Sequence, residues 1–125
     1  MRNELLNKSY TAEGVIPPYR IVKFGAADGG VLLAAAATDK LIGVTGRLGF
    51  AAIGDRGDVG RLGIDEVEFG GAVAAGDPLT SDAVGRAVVA APAAGSNVRI
   101  IGFAEVAGVL GDIGSFYISP CSLQG

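Results

Sequence analysis

The chain has 125 residues, enough for one domain with its own core, and carries 13 carboxylates against 10 cations for a net charge of −3. Half of the residues are hydrophobic, but 20 of these are alanine and 21 further residues are glycine, so the bulk of a core falls to 13 valines, 10 leucines, nine isoleucines and five phenylalanines. An acidic chain of this kind argues against a phosphate-tracking surface, so no nucleic-acid partner is expected. With no histidine, the commonest general base and metal ligand is missing as well.

The single cysteine, Cys121, has no partner for an internal disulfide, so nothing implies an oxidising compartment. The longest apolar run, Val31 to Ala37, falls well short of the roughly 20 residues that span a bilayer. The N-terminal MRNELLNKSY lacks the apolar region of a signal peptide. The expectation is a soluble protein made in the cytoplasm, with no membrane association.

In chain order, residues 1–16 read as a polar N-terminal arm or short helix outside the core, and residues 17–125 as a single β domain. Pro17-Pro18 forces an extended segment, and Tyr19 to Phe24 reads as a strand with mixed faces. Asp28-Gly29-Gly30 signals a turn before a strand at Val31–Leu33. Leu41 to Thr45 is a third strand, ended by Gly46. The glycine-dense region 46–63 holds GRLG twice, at 46–49 and 60–63, which suggests two similar strand–turn units. Asp65 to Phe69 alternates, with Val67 and Phe69 inward and Glu66 and Glu68 outward.

Gly70-Gly71 and Gly76-Asp77 bracket an alanine-rich segment, after which Asp77 to Arg86 reads as a hairpin. Pro78 stands at a strand start, Leu79 and Thr80 form the outgoing strand, Asp82 opens the reversal, Gly85 supplies a positive φ and Arg86 begins the return. Val98 to Val106 and Phe116 to Ser119 are the last strands, separated by a turn at 111–114. Helix is confined to a turn or two at residues 1–8 or 34–40. The five phenylalanines, at 24, 50, 69, 103 and 116, sit singly in strand-like contexts and are expected in the core.

Catalytic constellations are absent. Cys121 has no imidazole to activate it, and the three lysines (Lys8, Lys23, Lys40) stand in no catalytic setting. Asp55, Asp58, Asp65, Glu66 and Glu68 cluster in sequence without the spacing of a calcium loop. Arg56-Gly57-Asp58 is a chance integrin-like tripeptide, and neither glycine-rich GRLG segment continues as a phosphate-binding loop. No catalytic residue, metal or cofactor is expected.

Three stretches together resemble the capsid cement (head decoration) proteins of tailed bacteriophages: PYRIVKFGAADGGVLLAAAATDKLIGVTG at 18–46, AVAAGDPLTSDAVGRAV at 72–88 and RIIGFAEVAGVLGDIGSFYIS at 99–119. AGDPLTSD also resembles β-clip domains. The resemblance implies an all-β fold, a compact β-barrel or β-sandwich of β-clip or β-tulip type with an extended N-terminal arm. It implies a non-enzymatic virion protein, made in the host bacterial cytoplasm, that binds the outer surface of the expanded phage head and bridges major capsid protein subunits. A homotrimer is favoured over a dimer.

The charge distribution adds a candidate contact. Residues 1–24 sum to +2 and the remainder to −5, so the arm has its own electrostatic target. Arg2, Asn3, Glu4, Leu5, Leu6, Lys8 and Tyr10 are the candidate capsid-contacting residues, by ordering on contact or by adding a strand to an exposed edge. Deleting residues 1–14 is then expected to leave a folded oligomer that no longer decorates. Asp77, Pro78, Leu79, Thr80, Asp82, Gly85 and Arg86 form the candidate hairpin. The alternative is a small non-catalytic β-barrel that binds a ligand or carbohydrate, which calls for aromatic residues clustered at one mouth.

Overall fold

The computed structural model describes residues 2–125, which form nine strands and no helix: β1 (Asn3–Ala12), β2 (Ile21–Phe24), β3 (Gly30–Leu33), β4 (Leu41–Val44), β5 (Arg56–Glu68), β6 (Pro78–Ser81), β7 (Ala87–Val89), β8 (Asn97–Ala104) and β9 (Ile113–Gln124). Five of them, in the order β1-β3-β2-β4-β5, close into a barrel because β5 also pairs with β1. The β1–β3 contact is parallel and the other four are antiparallel. Beyond Gly60, β5 parts from β4 while staying paired with β1 as far as Ile64, and from Gly63 it pairs with β9, so that the sheet continues through β8 and β6 to β7. A bridge between Phe69 and Ala87 brings β7 back beside the end of β5.

This path creates two cores. The barrel interior holds Tyr10, Ala12, Ile16, Val22, Val31, Ile42, Phe50 and Val59, with Leu33 packed against them. The second core lies between the barrel and the β9-β8-β6-β7 extension, and contains Ile21, Leu41, Val44, Val67, Phe69, Leu79, Ile101, Phe116 and Ile118. β2 and β4 form the wall between the two. Successive residues of a strand point to opposite faces, so Ile21 enters one core and Val22 the other. On β4, Leu41 and Val44 share a face despite their odd spacing, because the β2–β4 register slips by one residue at Ile42. That bulge lets every residue of β4 be buried.

Three turns share one construction. At Ala52–Asp55, Ala74–Asp77 and Val109–Asp112 the third residue is a glycine with positive φ, and an aspartate follows it. The aspartate Oδ2 accepts from the N–H three residues back, at 3.0, 2.9 and 3.0 Å. Glycine at this position is what a type II turn demands. At Ala27–Gly30 the final residue is a glycine, and the carboxylate comes from Glu13 instead, which accepts from Ala26 and Ala27 N–H. These two bonds hold the exposed Glu13 carboxyl below the usual carboxylate range.

Several expectations from the sequence are corrected. Residues 3–12 are a strand and neither a helix nor an arm outside the core, since Tyr10, Ala12 and Ile16 are all buried in the barrel. Residues 34–40 form turns and bends and no helix. The two GRLG segments are not similar units: 46–49 is a turn, whereas 60–63 lies inside β5. Gly60 is needed there because a Cβ would meet the Asp65 carboxylate. Tyr19 does not begin a strand; it adopts the left-handed region, with φ 58°, where the chain turns from barrel to second core. Phe50, Phe69 and Phe116 are core residues, but Phe24 and Phe103 are exposed. β9 runs past Ser119 to Gln124, with a register slip that accommodates Pro120.

Gly43 and Gly60 set the distance between β4 and β5. A Cβ on Gly43 would lie 2.1 Å from the Gly60 carbonyl oxygen, a backbone atom with no room to yield. Gly43→Ala is therefore expected to destabilise the fold by about 1–3 kcal/mol, measured by urea unfolding.

Candidate functional site

β1 carries the N-terminal candidates. It pairs with β5 from Asn3 to Thr11, but meets β3 only at Thr11 and Ala12. Over residues 3–9 its second edge is therefore open among the described residues. Register shifts at Glu4/Leu6 and Leu6/Asn7 twist this edge, and Glu4 and Lys8 add charge to it, the usual protection of an open strand against unwanted pairing. Leu5 and Leu6 are exposed, at 69% and 52%, beside Leu62, which pairs in register with Leu6. Tyr10 is the exception among these candidates: its ring belongs to the barrel core.

Arg2 fastens the start of β1 to the body. Its Nε donates to Asp65 Oδ1 at 3.0 Å, and its guanidinium also contacts Glu4. Asp65 is 1% exposed. Burial pushes its carboxyl above the usual range, although the Glu66 N–H and Arg2 pull the other way. Desolvation acts to lower the Arg2 value, but Asp65 and Glu4 outweigh it and raise it. Beside this pair lies a shallow cleft of ≈ 150 Å³, lined by Arg2, Glu4, Asn7, Thr45, Arg47 and Asp58. Its two arginines face two carboxylates, so it favours neither sign of charge.

The predicted hairpin is β6, its turn and β7, and the structure spends most of it on packing. Leu79 and Thr80 are buried, and the Thr80 hydroxyl donates to the Arg99 carbonyl at 2.7 Å. Asp82 accepts from Val84 N–H, Arg86 N–H and Arg86 Nε, all at 2.9 Å. Gly85, with φ 77°, lies against Leu33 and accepts from Ile21 N–H at 2.8 Å. Asp77 closes its GD turn. Only Pro78 opens onto the outer face of the sheet. The hairpin thus docks the second sheet on the barrel, and the two groups of candidate residues are not brought into one site.

An apolar surface lies where the sequence was not expected to place one. Ile64, Tyr117, Phe103 and Pro78 stand opposite one another across β5, β9, β8 and β6, and Tyr117 and Phe103 are 45% and 39% exposed. Ile113 extends this surface along β9. A signal was available in the alternation, since Phe116 and Ile118 inward place Tyr117 outward. Among the described residues no group of three histidine, cysteine, aspartate or glutamate side chains is placed to hold a metal ion.

The raised Asp65 value gives a pH dependence of known sign. A carboxyl with its folded value above its unfolded one contributes stability that is fully present below the ordinary carboxylate range, and that is lost as pH rises through the folded value. Asp65→Asn is expected to flatten this decline between about pH 4 and pH 7. Arg2→Ala should steepen it by about 1 kcal/mol at neutral pH, a modest amount because the Arg2 side chain is one-third open to water. Urea unfolding of the three proteins at both pH values checks this.

Comparison with known proteins agrees with the architecture. The structure superposes on the N-terminal base of the head fiber protein gp8.5 of bacteriophage phi29 with a TM-score of 0.68 and 21% sequence identity, over 91% of this chain and 93% of that one. At that identity the likeness establishes a shared fold. No curated protein matches the sequence. The model of the phage cement proteins matches residues 2–109, which take in the barrel and strands β6 to β8 of the second sheet, and the chain accordingly belongs to the phage cement protein family.

Proposed function

We propose that this virion structural protein binds the outer surface of the expanded head and bridges neighbouring major capsid protein subunits, acting as a homo-oligomer, a trimer in preference to a dimer. The observation that carries this is the amount of apolar surface left open on a well-packed body. Tyr117, Phe103 and Ile113 on the sheet face, and Leu5, Leu6 and Leu62 at the β1–β5 end, are all exposed. Surfaces of this kind mark sites of protein association. The separation of these two surfaces suits a molecule that contacts both its own copies and a shell.

The sheet face presents side chains that stand opposite one another across four strands, which favours burial between copies in a symmetric assembly. The β1 edge is suited to the capsid. Its open backbone groups over residues 3–9 can accept a strand, and Leu5 and Leu6 supply apolar contact beside them. Because β1 is already ordered by β5, little conformational entropy is lost when it binds. A clamp that binds the assembled lattice and not free subunits stabilises the lattice by mass action, and repetition makes modest affinity per site sufficient.

Carbohydrate binding is less favoured, since of Tyr10, Phe24 and Phe50, which line the barrel, only Phe24 is exposed. Deletion of residues 1–14 is not a clean test, because it would remove Tyr10 and Ala12 from the core.

Leu5→Lys with Leu6→Lys is expected to leave melting and oligomeric mass unchanged. It should weaken binding to undecorated expanded heads at least tenfold, read as copies sedimenting with the heads. Normal decoration by this variant would move the contact off β1, and no binding by the unmodified chain would overturn the cement role here. Tyr117→Lys is expected to reduce the mass in analytical ultracentrifugation from the oligomer to the monomer.

A further inference from the structure

We propose that one mouth of the five-strand barrel is a binding site for carboxylates of a partner polypeptide, in an acidic segment that also carries an apolar side chain. On the capsid-binding proposal above, which this deepens, that segment belongs to the capsid protein.

The site follows from strand alternation. Tyr10, Val22, Ile42 and Val59 point into the barrel. Two residues further toward one rim, on the same inward-facing register, stand Lys8 on β1, Phe24 on β2, Lys40 just before β4 and Arg61 on β5. The antiparallel pairings of β1 with β5, β5 with β4, and β4 with β2 bring all four to the same end. The contacts agree. Lys8 Nζ lies 5.2 Å from the Tyr10 ring centroid. Arg61 donates through Nη1 to the Tyr10 hydroxyl, and its guanidinium carbon is 6.0 Å from the Phe24 ring centroid. Phe24 N–H donates to the Lys40 carbonyl at 3.3 Å, which sets those two residues opposite each other.

Charge gathers at this rim. Arg2, Arg20, Lys23 and Arg86 each hold a carboxylate. Among the described residues, Lys8, Lys40 and Arg61, like Arg47, Arg56 and Arg99, have none within ion-pair distance. Lys8, Lys40 and Arg61 stand together at one end of a chain with net charge −3, where they outnumber the Asp28 and Glu13 carboxylates of the β2–β3 turn. Arg61 Nε is also buried without a hydrogen-bond partner, a cost that an arriving acceptor relieves after a small movement of the side chain. Arginine presents a fork that matches carboxylate geometry. Phe24, 50% exposed, supplies an apolar platform beside the cations, which suits an acid on a polypeptide better than a bare anion. The cations ring a mouth and form no track, so a nucleic-acid backbone does not fit.

The test is a heteronuclear NMR titration of the full chain with acetyl-Asp-Leu-Glu-amide. The expected result is saturable shifts centred on residues 8, 24, 40 and 61, weakened at least tenfold in the Lys8→Gln, Lys40→Gln double variant. Both lysines are exposed, so the fold is retained. Silence at these residues, or equal binding of acetyl-Asn-Leu-Gln-amide, overturns the site. Equal binding of inorganic phosphate overturns the assignment to carboxylates. The double variant is also applied to expanded heads. Peptide binding at the mouth together with failure of the unmodified chain to decorate would leave the site standing and remove the capsid reading. Decoration without any peptide response would remove the site and leave the capsid reading.

Discussion

The close approach of β4 to β5 at Gly43 and Gly60 is the constraint on which the rest of the fold depends. Two backbones meet there with no side chain between them. Because they do, β4 can lie inside the protein with both faces covered, one by the barrel interior and one by the second core. The bulge at Ile42 puts Leu41 and Val44 on the face of the second core and Ile42 on the barrel side. β5, released from β4 beyond Gly60, then pairs with β9 and carries the chain from barrel to sheet. The Asp65 carboxylate fills the space that a Cβ on Gly60 would occupy, so the crossing also explains why a charged group is buried at this point, with Arg2 as its partner.

Closure of the barrel depends in turn on β1, which joins β3 to β5. That makes the N-terminal segment part of a rigid body, and it changes the physics of any contact it makes. A disordered arm gives up chain entropy on binding, whereas a strand held along one edge presents its other edge ready-made. The same closure leaves inward-facing positions at the open rim, where side chains reach water and are free to be polar. Lys8, Arg61 and Lys40 occupy such positions above a core that is wholly apolar apart from the Tyr10 hydroxyl.

Much of the local structure was legible in the sequence. The strands at 31–33, 41–44 and 78–81, the reversal at 82–86 and the inward alternation of Val67 and Phe69 follow from period, β-branching and glycine placement. The GD turn was legible only in pieces. Gly76-Asp77 and Gly111-Asp112 stand out as turns, but their common construction with Gly54-Asp55, and the part of Glu13 in the 27–30 turn, emerge only when the hydrogen bonds are seen. The N-terminal segment was misplaced for a physical reason. Its side chains are polar because one face of β1 and much of the other remain in water, and its partner strand lies about 50 residues away in sequence, beyond the reach of any local pattern.

The sequence by itself determined that the chain is all-β, where most of its turns fall and that its motifs are those of phage cement proteins, because these properties reside in residue type and short-range spacing. Tertiary structure decided which face of each strand meets which core, and with it whether an aromatic side chain is packed or presented. Phe103 and Phe116 look alike in sequence, each set in an apolar strand with glycine nearby. Only the pairing of β8 with β9, and the covering of one side of that sheet by the barrel, buries Phe116 and leaves Phe103 beside Tyr117 on the open face. Alternation separates the two faces of a strand, but long-range packing chooses which of them is removed from water.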